Sequence, residues 1–125
     1  MVADDGTNKP VFERDGYRCV VHGDRAQTVH HRNHRHSDPR PSVRLSVCGS
    51  GTTGAHGWIE AHPAAAGLAG EDGPGWTISR DTMFPTLVKV WYENGPYGPG
   101  WYLLDDQYGF AGWPGSVLTQ ELGYG

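Results

Sequence analysis

The chain has 125 residues, enough for one domain with a modest core and too few for two. Hydrophobic residues make up 37% and aromatics 11%, which excludes wholesale disorder, while 19 Gly and 9 Pro exclude a bundle of long helices. The net charge of −4 lacks the overall basic excess of a protein that grips DNA phosphates, yet Arg and His crowd between Arg14 and Arg44, where the only acids are Asp15, Asp24 and Asp38. From Leu45 onward the basic residues other than His are Arg80 and Lys89, so the second half is acidic: a solvated face or a surface for a protein partner. Two cysteines do not make a secreted disulfide framework. No apolar run approaches the roughly 20 residues that cross a membrane. The opening MVADDGTNKP lacks the basic-then-apolar layout of a signal peptide. These features predict a soluble cytoplasmic protein with no membrane partner.

In chain order, residues 1–10 predict a flexible lead. Residues 11–18 predict a short helical turn that breaks at Gly16. CVVH (19–22) and QTVHH (27–31) read as two strands of a hairpin, and the polar stretch 32–41 reads as a surface loop. VRLSV (43–47) alternates apolar and polar residues, as a half-buried strand does. A Gly-rich loop then leads to a short helix from His56, with Trp58, Ile59, His62 and Ala66 near one face and Pro63 limiting its length. Gly67–Gly75 reads as a flexible turn. WTISR (76–80), TLVKVWY (86–92) and GWYLLDD (100–106) predict a β meander, with its aromatics used in packing; a Gly- and aromatic-rich tail follows, in which Trp113 could dock on the sheet.

The residues with chemical potential cluster in the first half. His30 and His31 stand together at a strand end, where neighbouring side chains point to opposite faces. Taken alone they read first as solvated histidines. Cys48 opens the string CGSGTTGAHGW, in which a Gly-rich loop delivers His56 to the start of a helix. With RDGYRC at 14–19, HHR at 30–32, CGSGTTG at 48–54, HGW at 56–58, GW at 75–76 and WYLLDD at 101–106, the chain resembles the small HNH endonucleases of actinobacterial phages over about residues 11–106.

The resemblance implies an α+β fold: a ββα-metal core over residues 11–75, with a C-terminal antiparallel β meander over 76–125 packed on it as one domain. It also implies hydrolysis of phosphodiester bonds in double-stranded DNA, aided by one divalent ion and a general base, inside a bacterial host cell. His31 would be the base, because a neutral imidazole accepts a proton near pH 7. His30 and His56 would be metal ligands, a set that suits Zn, Mn or Ni better than Mg. Glu60, one helical turn after His56, would hydrogen-bond the other ring nitrogen of His56 from behind the metal. Arg32, Arg35 and Arg40 would track phosphates.

The chain departs from the family pattern at two places. The Asn that gives the motif its middle letter is replaced by Val43. The fourth ligand position of the structural zinc site found in many relatives is Ala55, so three ligands remain, Cys19, His22 and Cys48, too few to close a structural zinc site; the reading this favours is no zinc, with Cys19 and Cys48 as buried small apolar residues. These departures keep a second reading open: a catalytically inactive protein of the same fold that binds DNA or a phage or host protein.

Overall fold

The computed structural model describes residues 8–68 and 73–112. Helix α1 (Lys9–Arg14) begins with a proline in its first turn, where the missing N–H costs nothing, so the lead expected over 1–10 already turns helical at Lys9. Residues 1–7, the middle of the turn at 67–75, and the tail with Trp113 lie outside the described residues. Strands β1 (Thr28–His31) and β2 (Arg44–Val47) pair antiparallel, with Thr28 opposite Val47 and His31 opposite Arg44. Helix α2 (Gly54–Ala61) follows β2, and β3 (Val90–Gly95), β4 (Gly98–Leu104) and β5 (Phe110–Gly112) form a second antiparallel sheet in that order. The architecture is α+β with two small sheets. Among the described residues no helix is long and apolar enough to cross a membrane.

One continuous core joins both sheets. Cys19, Val20, Leu45, Val47 and Ile59 pack with Val90, Tyr92, Tyr102 and Leu104, all buried. Polar bonds reinforce the junction. Asp15, 5% exposed, accepts from the Tyr92 hydroxyl (2.6 Å), from Arg14 (2.8 and 3.0 Å) and from the backbone N–H of Ser46 (3.0 Å). This ties α1 to one strand of each sheet. Burial opposes the charge of Arg14, but the adjoining Asp15 carboxylate outweighs it and holds the guanidinium protonated.

Two expected strands are absent. Residues 19–22 form a tight turn rather than a strand, because Cys19 N–H donates to Asp24 O (2.6 Å) and Gly23 N–H to Cys19 O (2.8 Å). A single bridge, Arg18 to Arg25, closes its base. Residues 76–80 form no strand: Thr77 N–H bonds Ala66 O and Ile78 N–H bonds Arg32 O, so the segment spans two loops. The broken helix expected after His56 ends at Ala61, before Pro63, and gives way to a turn at Ala64–Leu68. Of its expected inner face, Ile59 and Ala66 are buried, whereas Trp58 is 41% exposed and stacks on His62 at 4.9 Å.

The loop from β2 to α2 explains its glycines. Gly49 and Gly54 both have positive φ, at 83° and 61°. A Cβ on Gly49 would collide with the Thr53 carbonyl, and one on Gly54 with the backbone of Gly49. Two backbones therefore touch across the loop, which only glycine permits at both positions.

The stretch 32–41 is far from a purely solvated loop. Arg32 is completely buried. Its guanidinium donates to Gly75 O (2.8 Å), Ser42 O (2.8 Å) and Val88 O (3.0 Å), and Pro85 O lies at 3.5 Å. Burial lowers its pKa to about 10, so it stays charged at neutral pH. Arg32→Ala is expected to remove about 3–5 kcal/mol of stability, because several buried carbonyls lose their donor at once. Arg32→Lys should recover little, since an ammonium cannot reach three directions in a plane. Urea denaturation followed by circular dichroism measures both; a loss below about 1 kcal/mol for the alanine variant would contradict this account.

Candidate metal centre

Strand β1 and helix α2 face each other and deliver the site. Alternation along β1 puts Thr28 and His30 on one face and His31 on the other. Helical spacing puts His56 and Glu60 on one side of α2. The His30 and His56 rings meet edge to face at 5.5 Å. One donor atom from each of His30, His56 and Glu60 lies within 4.8 Å of the others, so this group can hold a metal ion.

Proton accounting shows what occupies the space between them. Thr28 donates its only hydroxyl hydrogen to Gly49 O at 2.7 Å. Its contact with His56 Nδ1 at 2.8 Å must therefore be donated by the ring, which leaves Nε2 of His56 with a bare lone pair. On His30, Nε2 sits 2.8 Å from Trp76 O, which can only accept, so Nε2 carries the proton and Nδ1 is bare. The Nδ1 of His30 is buried and has no hydrogen-bond partner among the described residues. Glu60 Oε2 approaches this atom at 3.3 Å and His56 Nε2 at 3.7 Å. These contacts would be ion pairs only if the rings were protonated. Burial, with smaller contributions from neighbouring histidines, lowers His30 to about 3, and burial also lowers His56, so both rings are neutral near pH 7. Three lone-pair donors thus converge with no hydrogen between them, an arrangement that a cation relieves.

Glu60 stands beside the two histidines rather than behind His56, where the sequence reading set it; the place behind His56 belongs to Thr28. His34, on a turn with φ of 59°, brings Nδ1 to 3.4 Å from the second oxygen of Glu60. Thr28 has a signal in the sequence, since it lies two residues before His30 on a strand and so shares its face. Trp76, which orients His30 through its carbonyl from 46 residues away, has none.

His31 is outside this convergent group. It stacks on His36 at 5.5 Å, and burial first, then His36 and Arg44, lower its pKa to about 4. Val43 is fully buried, with its carbonyl accepting from Arg32 N–H, and it offers no polar atom to His31. Asn33 is also buried; its side chain bonds Asp38 and the N–H of Arg35 and serves the loop. Of the three arginines expected on phosphates, Arg32 is excluded by its burial. Arg40 is clamped to Asp38 at 2.7 Å and to Met83 O at 3.0 Å, and its bonds to Asp38 hold that carboxyl well below the usual range. Arg35 remains half exposed; it donates to Arg80 O, with Asp81 at 3.6 Å.

A second group gathers at the turn after α1. Donor atoms of Cys19, His22, Asp24 and Cys48 also lie within 4.8 Å of one another. The three residues expected there come together, with His22 Nδ1 at 3.3 Å from Cys48 Sγ. Ala55 contributes its backbone N–H to the same sulfur at 3.3 Å.

No family model, no curated protein and no solved structure matches the chain.

Replacing Thr28 by Val keeps its shape and removes the acceptor that fixes the His56 tautomer. Affinity for Mn or Zn, measured by calorimetry at the histidine group in a Cys48→Ser background, is expected to fall about 10- to 100-fold. Unchanged affinity would mean that Thr28 does not orient the ligand.

Proposed function

We propose that the chain is a metal-dependent endonuclease of HNH type that hydrolyses phosphodiester bonds in DNA. The observation that carries this reading is the convergence of bare lone pairs from His30, His56 and Glu60 at the junction of β1 and α2. The order strand, strand, helix, with one ligand from the first strand and two from the helix, supports a ββα-metal core. A divalent ion held there supplies positive charge to the phosphoryl oxygens and the leaving group. Mn, Ni or Zn suits two imidazoles and a carboxylate better than Mg.

The remaining roles fall to the chain's own side chains. His31, neutral at pH 7, holds a lone pair that accepts the proton of the attacking water; its depressed pKa makes it a weaker acceptor than a solvated histidine. A cleft of about 550 Å³ opens beside Glu60 and His34 and is bordered by Ile78 and Arg80. It gives a nucleic-acid strand access to the metal group. Arg80 lies at this rim and Arg35 donates to its carbonyl, and the two take over from Arg32 and Arg40 as phosphate contacts.

One observation favours a second reading. With Val43 buried where the family resemblance calls for Asn, that position offers no amide side chain to orient His31, which suits a protein that binds DNA without cutting it. Nicking of supercoiled plasmid, with Mg, Mn, Ni or Zn added in turn, separates the two. The nuclease reading expects metal-dependent nicking that falls about 100-fold or more in His31→Ala. Retardation of the plasmid without nicking, by folded protein with every metal, would establish the binding reading instead.

A further inference from the structure

The geometry points to a second, structural metal site in which Cys19, His22, Asp24 and Cys48 hold one zinc ion. Asp24 supplies the ligand that Ala55 cannot. A tetrahedral zinc ion with bonds of about 2.0–2.3 Å keeps its ligand atoms about 3.3–3.8 Å apart. The four donors here lie within 4.8 Å of one another, so small side-chain rotations close the set. Two thiolates, an imidazole and a carboxylate select zinc over Mg or Ca, which prefer oxygen alone.

The surroundings are those of metal-bound sulfur. Each thiol receives a backbone N–H: His22 N donates to Cys19 Sγ at 3.4 Å, and Ala55 N donates to Cys48 Sγ at 3.3 Å. Burial pushes the Cys19 thiol up; these bonds act against it and fix the direction of the sulfur lone pairs. The turn that carries three of the ligands is closed by Cys19 N–H to Asp24 O and by Gly23 N–H to Cys19 O, so its backbone is set independently of the side chains. Ala55 is fully buried and belongs to the hydrophobic core. The two cysteines are buried while His22 and Asp24 are exposed, so the ion would sit at the edge of the core with a path to solvent.

The site would fasten the turn at 19–24 to the end of β2. Cys48 also accepts through its carbonyl from His56 N–H at 3.0 Å, so the ion is one hydrogen bond removed from the start of α2. Binding would release the thiol protons and add its free energy to folding.

Cobalt titration of the reduced full-length protein, after chelator treatment, tests the proposal. The His30, His56 and Glu60 group contains no sulfur, so a sulfur-to-cobalt charge-transfer band reports this site alone and is independent of any nicking activity. In His30→Ala, where the histidine group is disabled, the band is expected to persist, to saturate at one cobalt per chain and to disappear on addition of zinc. Cys48→Ser should abolish it. Asp24→Ala, at an exposed position that leaves the core intact, should keep the band but weaken cobalt binding at least about tenfold. Absence of the band from folded, reduced protein would overturn the site. Equal cobalt affinity in Asp24→Ala and the parent would overturn the assignment of Asp24.

Discussion

A buried guanidinium with no carboxylate beside it among the described residues fixes the relation between the two halves of the chain. Arg32 sits at the end of β1 and spends its hydrogens on carbonyls of Ser42, Gly75 and Val88. A lone buried charge is costly, and here dipoles rather than an opposite charge compensate it. The cost is tolerated because one side chain satisfies loop carbonyls from three separate segments, none of which belongs to a sheet. Its own carbonyl receives Ile78 N–H, so the segment 75–78 is held from both sides. Trp76 lies within that segment, and its carbonyl is the acceptor that sets the tautomer of His30. The lone pairs of the candidate metal group thus depend on Arg32, which is not one of its three donors.

The metal group itself is built by withholding protons. Ordinary surface histidines would share a carboxylate by protonating, and the cluster would then be an ion-pair network. Burial of His30 prevents that, and the acceptors at Trp76 and Thr28 direct the single ring protons outward. What faces Glu60 is therefore electron density from both rings. Attraction for a cation follows from the fold around the histidines as much as from their identity.

The sequence made the local pieces legible. Alternation in VRLSV and the Gly-rich run before His56 identified β2 and α2, and the aromatic stretches beyond residue 86 identified a C-terminal antiparallel sheet. Partnership over distance was not legible. CVVH has strand composition, yet local N–H groups fold it into a turn that gathers side chains able to hold a metal ion. WTISR also has strand composition, yet its N–H groups are taken by Ala66 and Arg32. Charge pattern misplaced two arginines for the same reason: a guanidinium among polar neighbours can face solvent or carbonyls, and only the packing decides which. Asp24 was legible in principle, two residues past His22, but its relevance depends on the turn closing and on Cys48 arriving from 24 residues further on.

The loop from Cys48 to Gly54 separates shape from reactivity. Its glycines are required because Gly49 and Gly54 bring their backbones into contact, a steric demand that exists whether or not the nearby histidines bind anything. Sequences sharing this string therefore share a strand-to-helix connector before they share an activity. As a building block, the connector reverses direction in few residues and sets the first turn of a helix against the strand it leaves. Grafted between another hairpin and helix, it would carry over the placement of two ligand positions and leave the choice of side chains, and hence of chemistry, open.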